Sequence, residues 1–153
     1  MQTVLDRFKA IRWSYADKDT AAGDEMRRRI AEAARKNKLI RYSDLIAGVT
    51  FRLPNVAGGE PFQIDPFDWS DLDRAILGDY LGYLSLETYE RHGFIASALV
   101  VSKSDDTPSD GFWNLMKLLE LVKNPKTDKA MFFWSDEVSK AREWYLAHPD
   151  RDV

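Results

Sequence analysis

The sequence predicts a mostly helical α+β fold, organised as a single domain over residues 1–153. Three observations lead to this class. Apolar residues recur every three or four positions over much of the chain, as in helices that cover a core. One short apolar run, residues 96–101, is rich in β-branched residues and has the length of a strand. The 153 residues, 44% of them hydrophobic, suffice for one core built from about six helices and two to four short strands.

Two helices are predicted at the N-terminus. The first covers residues 3–13, whose apolar positions fall on one stripe, and a polar loop follows it up to residue 23. The second covers residues 24–37. It begins with two acidic residues and ends with lysines, an arrangement that the helix dipole favours.

A brief helix and a long loop come next. Residues 39–42 should be extended, and Ser43 should cap a helix over residues 44–47 that ends at Gly48. Residues 50–68 contain three prolines and a Gly-Gly pair, which prevent any long element. Because loops of this length are uncommon in small domains, the segment is expected to be a wing, a flap or a partner-binding loop.

The longest predicted helix begins at Trp69 or Ser70, continues or restarts over residues 86–91, and ends at Gly93. Its apolar residues follow helical spacing over most of this length. Gly78 and Gly82 lie four positions apart within it. Glycine at this spacing indicates that another backbone approaches the helix closely in the core.

A buried strand, a polar turn and a helix are predicted after Gly93. The strand over residues 96–101 has no polar alternation, so both of its faces should be buried. Turn-forming residues then fill positions 104–110. Ser109 or Asp110 should cap the helix that follows over residues 112–122.

The last predicted element is a helix over residues 136–147, capped by Ser135. An apolar cluster at residues 131–134, extended or buried, precedes it. Within the single domain, residues 1–23 are the N-terminal helix and loop, residues 24–122 the core, and residues 123–153 a C-terminal helix extension.

The composition excludes several classes of protein. The chain has no cysteine, which removes disulfides, thiol nucleophiles and cysteine metal sites. No apolar run approaches the roughly 18 residues of a membrane span, and the N-terminus does not resemble a signal peptide. We therefore expect no contact with membranes, and a cytoplasmic protein of prokaryotic or phage origin.

Charge is distributed unevenly along the chain. Residues 7–41 carry eleven lysines and arginines against five acidic residues, whereas residues 60–110 carry three against eleven. One interpretation is two solvated faces of opposite sign. Another is that a basic segment binds nucleic acid or an acidic partner, or that the acidic half binds a basic partner. The candidate phosphate contacts in the nucleic-acid interpretation are Arg27, Arg28, Arg35, Lys36, Lys38 and Arg41.

Few residues suggest chemistry. The two histidines have no ligand or carboxylate at a useful spacing, and phosphate loops and nucleophile elbows are absent. The one candidate is the turn before the helix at 112–122, where four charged side chains could converge: Lys103, Asp105, Asp106 and Asp110. The turn matches neither a calcium loop nor a nuclease motif. We expect no metal and no cofactor, and lean against an enzyme.

Two segments carry a resemblance to a known family: LIRYSDLIA at 39–47, and SALVV at 97–101 before Gly111-Phe112. With the helices at 30–38 and 72–84, their order resembles the winged-helix DNA-binding domain of alkyltransferase-like proteins. The resemblance implies a winged-helix-like core and a DNA-facing helix, in which Arg74 loosely matches the family's arginine. The family's Pro-Cys-His-Arg motif is missing, so alkyl transfer to a thiol is impossible here.

Residues 40–112 also resemble small bacterial and phage-type proteins to which no function is attached. The sequence as a whole favours a non-enzymatic interaction module that binds a protein or nucleic-acid partner. One alternative is a sequence-tolerant DNA-binding protein that uses the basic segment at 24–41. The other is a small enzyme with its site at the turn at 103–110.

Overall fold

Six α-helices and a two-stranded parallel sheet form the fold in the computed structural model, which describes residues 1–152. The helices are α1 (Val4–Lys9), α2 (Thr20–Arg35), α3 (Tyr42–Ile46), α4 (Asp71–His92), α5 (Asp110–Leu118) and α6 (Asp128–Ala147). The strands are β1 (Ile40–Arg41) and β2 (Val100–Val101), which pair with Ile40 opposite Val100. The predicted class, a mostly helical α+β domain with a small sheet, is confirmed. Within residues 1–152 no helix is both long and apolar enough to span a membrane.

Helix α4 is the centre of the domain, and local signals define both of its ends. Ser70 and Asp73 form a capping box, in which each side chain accepts a hydrogen bond from the other's backbone N–H. Gly93 ends the helix in the left-handed conformation at φ 78°. The predicted helix is therefore confirmed at both ends. It buries five large side chains in the core: Ile76, Leu77, Tyr80, Leu81 and Leu84.

The prediction of one strand over residues 96–101 is wrong for its first two thirds. Ala96–Leu99 forms a short 3-10 helix, here called the core turn, and only Val100–Val101 is a strand. All six residues are buried, as predicted. An apolar run without alternation shows burial but does not distinguish an extended backbone from a helical one.

Buried hydroxyl groups stabilise the core turn. Thr88 Oγ1 donates to the carbonyl of Phe94 at 2.7 Å and accepts from the amide of Ala96 at 3.1 Å. Ser85 Oγ accepts from the amide of Ser97 at 3.1 Å and bonds to its hydroxyl at 2.8 Å. These side chains, all on α4 or the turn, replace the backbone partners that a strand would have supplied.

Two side chains of α6 also bind at this turn: Trp134 Nε1 donates to the carbonyl of Ala98 at 2.8 Å, and the second side chain is that of Glu137. Its carboxylate accepts from the amide of Ile95 at 3.2 Å and from Lys140 Nζ at 2.9 Å, and only 3% of the residue is exposed. Burial raises the pKa of Glu137, although the hydrogen bond from Lys140 lowers it. A structural role accounts for both oxygen atoms of this buried carboxylate.

Three helix starts differ from those predicted. Helix α2 begins at Thr20, where Asp19 caps it, and α3 begins at Tyr42 without a side-chain cap from Ser43. Helix α6 begins at Asp128 behind the cap Thr127, so the apolar cluster at 131–134 is helical. For α2 and α6 a polar residue upstream of the predicted start caps the helix and allows further helical turns.

Candidate functional site

A surface cleft of about 600 Å³ lies between α4, α5 and the loop that precedes α4. Apolar side chains supply most of its lining, and its aromatic walls come from distant parts of the chain. The apolar residues that line it include Trp13, Trp69, Leu77, Leu81, Phe112 and Leu115. Both the volume and the apolar lining are typical of binding sites in proteins. We call this feature the α4–α5 cleft.

Two glycines of α4 form part of the cleft surface, and they have different roles. A Cβ atom on Gly82 would lie 2.8 Å from Cζ3 of Trp13, so this glycine admits the indole ring. A Cβ atom on Gly78 would meet nothing within 4 Å. The prediction of a second backbone at these positions is wrong: a side chain packs on Gly82, and Gly78 borders open space in the cleft.

Asp79 holds the aromatic wall in position. Its carboxylate accepts hydrogen bonds from the amides of Ser14 at 3.1 Å, Tyr15 at 2.9 Å and Ala16 at 2.8 Å. These bonds attach the loop after α1 to α4, and Trp13 lies in that loop, immediately before the first bonded residue. Hydrogen bonds to a charged acceptor are stronger than neutral ones, so Trp13 is held against the helix before any partner arrives.

The two glycines provide a matched pair of substitutions. Gly82→Ala should lower the free energy of unfolding by about 1–3 kcal/mol, because the indole must shift. Gly78→Ala should raise it by up to about 1 kcal/mol, because alanine favours the helix and meets no neighbour. Urea denaturation of both variants measures the difference. Equal shifts for the two would contradict the packing of Trp13 on Gly82.

The predicted turn site is only partly assembled. Lys103 and Asp110 line the polar end of the α4–α5 cleft, together with Ser109. Asp105 accepts from a backbone amide of its own turn, and Asp106 lies 3.5 Å from Arg41; neither is part of the cleft lining. The structure therefore brings two of the four predicted charges to one site.

The start of α5 also differs from its prediction. Ser109 occupies the N-cap position, but its side chain makes no capping hydrogen bond, and Asp110 is the first residue of the helix. The amide of Ser109 donates to the hydroxyl of Tyr42 at 3.0 Å. Burial raises the pKa of Tyr42, so this hydroxyl remains neutral at physiological pH.

The basic segment at 24–41 is largely neutralised within the protein. Arg27 lies 2.7 Å from both Asp24 and Glu87, with 15% of its side chain exposed. Arg28 pairs with Glu25 at 2.6 Å and with Glu32 at 3.2 Å. Hydrogen bonds from Arg28 and Arg29 lower the pKa of Glu25 to about 2, so this carboxylate stays charged.

The other basic candidates follow the same pattern with one exception. Arg35 donates to backbone carbonyls of the C-terminal segment, including that of His148 at 2.8 Å. Lys36 pairs with Glu32 at 3.0 Å, and Arg41 pairs with Asp106. Within residues 1–152 Lys38 makes no ion pair. The six cations are therefore not a continuous uncompensated face.

Both histidines of the chain stack on Trp144. The ring of His92 lies 4.2 Å from the Trp144 ring and that of His148 lies 4.4 Å from it. Nε2 of His92 is buried and, among the residues described, has no hydrogen-bond partner. Burial, together with the positive charge of Arg151, lowers the pKa of His92.

This lowered pKa predicts a loss of stability in mild acid. The unfolded chain binds the proton at the ordinary pKa near 6.5, whereas the folded chain resists it, so the free energy of unfolding should fall as pH drops from about 7 to about 5. His92→Phe keeps the aromatic stacking and should flatten this dependence. Urea titrations of both proteins across the interval measure it. If the free energy of unfolding fell equally steeply with decreasing pH in both proteins, groups other than His92 would cause the loss of stability.

The part of the chain that the structure describes contains no group of three histidine or carboxylate side chains arranged to hold a metal ion. The cleft was not predicted from the sequence. A signal was present in the Pro-Phe-Asp-Trp segment at 66–69, which places two aromatic residues in a loop. Phe67 is 91% exposed, and Trp69 is half-buried at the cleft.

No protein-family model matches the chain, and no curated protein or solved structure is significantly similar to it. The winged-helix resemblance therefore stays a prediction. The geometry of the α4–α5 cleft is the strongest basis for a function.

Proposed function

We propose that this protein is a non-enzymatic interaction module that takes apolar side chains of a protein partner into the α4–α5 cleft. The proposal rests on the geometry of the cleft. It is preformed, because Asp79 and Gly82 position Trp13 without a ligand. Binding to a preformed site avoids the cost of ordering it.

Exposed apolar residues extend the cleft surface. Phe67 and Leu118 both line it and are 91% and 59% exposed. Large apolar side chains that cluster at the surface beside a cleft are typical of sites that bind proteins.

The polar groups of the cleft support binding rather than catalysis. Lys103 and Asp110 are accompanied by serine hydroxyls, and neither histidine lines the cleft. A general acid or base needs a partner within hydrogen-bond distance of the reacting group. An aromatic surface with a few polar groups instead provides anchoring and orientation.

The nucleic-acid alternative receives less support from the geometry. Five of its six candidate cations contact carboxylates or carbonyls of the same chain, and a phosphate would have to compete with these partners. We expect no binding of a fluorescently labelled duplex at low salt in anisotropy measurements. Salt-dependent binding that Arg28→Glu with Lys36→Glu abolishes would favour the alternative.

A displayed peptide library selected on the whole protein tests the proposal. Enriched peptides should share large apolar residues, and they should not bind a Gly78→Leu variant, which adds a large side chain to open space at the cleft lining. Gly78→Ala is the matched control and should retain binding. Enrichment that Gly78→Leu leaves intact, or no enrichment, would contradict the proposed site.

A further inference from the structure

Two of the segments that contribute to the lining of the α4–α5 cleft are acidic. Residues 60–74 contain five acidic residues and one arginine, and residues 102–110 contain three acidic residues and one lysine. The same segments supply part of the cleft lining, including Phe67 and Trp69 from the first and Ser109 from the second. We call their eight carboxylates the acidic rim. Asp110 lines the cleft, and the other seven belong to the same two segments: Glu60, Asp65, Asp68, Asp71, Asp73, Asp105 and Asp106.

Most of the acidic rim is available to a partner. All eight residues are exposed except Asp73, which is partly buried in the capping box of α4. Asp71 is 3.3 Å from Arg74, and Asp106 is 3.5 Å from Arg41. Among residues 1–152 the other six rim carboxylates make no ion pair, so the rim retains a negative potential.

We infer that the partner is a protein segment in which lysines or arginines flank a few large apolar side chains. This inference rests on the proposed function and specifies its partner. The apolar side chains enter the aromatic cleft, and the basic residues lie over the acidic rim. Charge complementarity of this kind accelerates association and excludes partners of the wrong sign.

The acidic rim also argues against two other occupants. Nucleic acids and anionic membranes both carry negative charge, and their approach to the cleft would be repelled by the rim carboxylates. A second copy of the chain is the other occupant to test, because Lys123, Lys126 and Lys129 are exposed and precede Phe132 by three to nine positions, and Phe132 is 75% exposed. The experiment below distinguishes self-association from binding of a separate partner.

Three synthetic helical peptides test the inference on the whole protein. All three carry the same leucine and phenylalanine residues at i, i+3, i+4 and i+7, and the other positions are lysine, glutamine or glutamate. Isothermal titration calorimetry at low salt should show that the affinity is highest for the lysine peptide, lower for the glutamine peptide and lowest for the glutamate peptide. The lysine peptide should bind about tenfold more tightly than the glutamine peptide, and added salt should reduce this ratio.

Rim variants show where the charge acts. Asp68→Asn combined with Asp71→Asn should reduce the advantage of the lysine peptide severalfold and leave binding of the glutamine peptide unchanged. The matched control is Glu143→Gln combined with Asp150→Asn, which removes two exposed charges outside the acidic rim and should leave the advantage intact. Gly78→Leu should abolish binding of all three peptides.

The outcomes separate the inference from the proposed function. Equal affinity for the three peptides, still lost in Gly78→Leu, would overturn the inference and leave the proposed function standing. No binding of any peptide would overturn both. Sedimentation velocity that shows self-association, abolished by Gly78→Leu, would assign the cleft to a second copy and overturn the inference of a separate basic partner.

Discussion

Replacing Leu99 by alanine should lower the free energy of unfolding by about 2–5 kcal/mol. Leu99 is completely buried in the core turn, which packs against both α4 and α6. Removing most of its side chain takes away apolar contacts and leaves a space that a turn fixed by hydrogen bonds at several residues can only partly close.

Chemical denaturation in urea measures this effect, with Leu146→Ala as the matched control. Leu146 lies on α6 and is 59% exposed, so its truncation should change stability by no more than about 0.5 kcal/mol. The two substitutions remove the same atoms, one set from a buried side chain and the other from an exposed side chain. If Leu99→Ala cost no more than Leu146→Ala, the core turn would not be part of the folded core.

Thr88→Val should destabilise the protein by about 2–4 kcal/mol, although valine has nearly the same shape as threonine. The substitution removes the hydroxyl that bonds to the carbonyl of Phe94 and to the amide of Ala96. Both backbone groups would remain buried without a partner, and each such group costs about 1–3 kcal/mol.

Thr88→Ser is the control that keeps the hydroxyl and removes one methyl group. Its cost should be about 1 kcal/mol, from the loss of one buried methyl. Hydrogen exchange at the amide of Ala96 gives a second measurement: exchange should accelerate in the valine variant and change little in the serine variant. Equal stability of the two variants would show that the hydroxyl does not hold the core turn.

The sequence could predict elements whose ends are defined by neighbouring residues. Helix α4 is the clearest case. Ser70 and Asp73, which cap its start, lie three positions apart, and Gly93 ends the helix through its own backbone conformation. The core turn shows the opposite case. The side chains that bind its backbone amides, Ser85 and Thr88, lie eight to twelve residues away. The pattern of apolar residues does not reveal these hydrogen bonds.

The sequence likewise gives the number of charged residues in each segment, but it does not show which of them form ion pairs. Within α2 the partners of Arg28 lie three and four positions away, a spacing that a helix brings together. Arg27 meets Glu87, sixty positions away, and Arg35 meets carbonyls of the C-terminal segment. The number of basic residues therefore suggested a phosphate-binding face. In the folded protein, most of these residues form contacts with other parts of the same chain.

The sequence by itself determined the helical content, the absence of thiol chemistry and the acidic character of the segments at 60–74 and 102–110, because these depend on residue type and local spacing. Only the tertiary structure decided the α4–α5 cleft. Trp13 reaches Gly82 because Asp79 binds the loop that follows this tryptophan, and α5 forms the opposite wall through Phe112. Such a cavity is created by the positions of side chains that are remote in sequence, and those positions are set when the core packs.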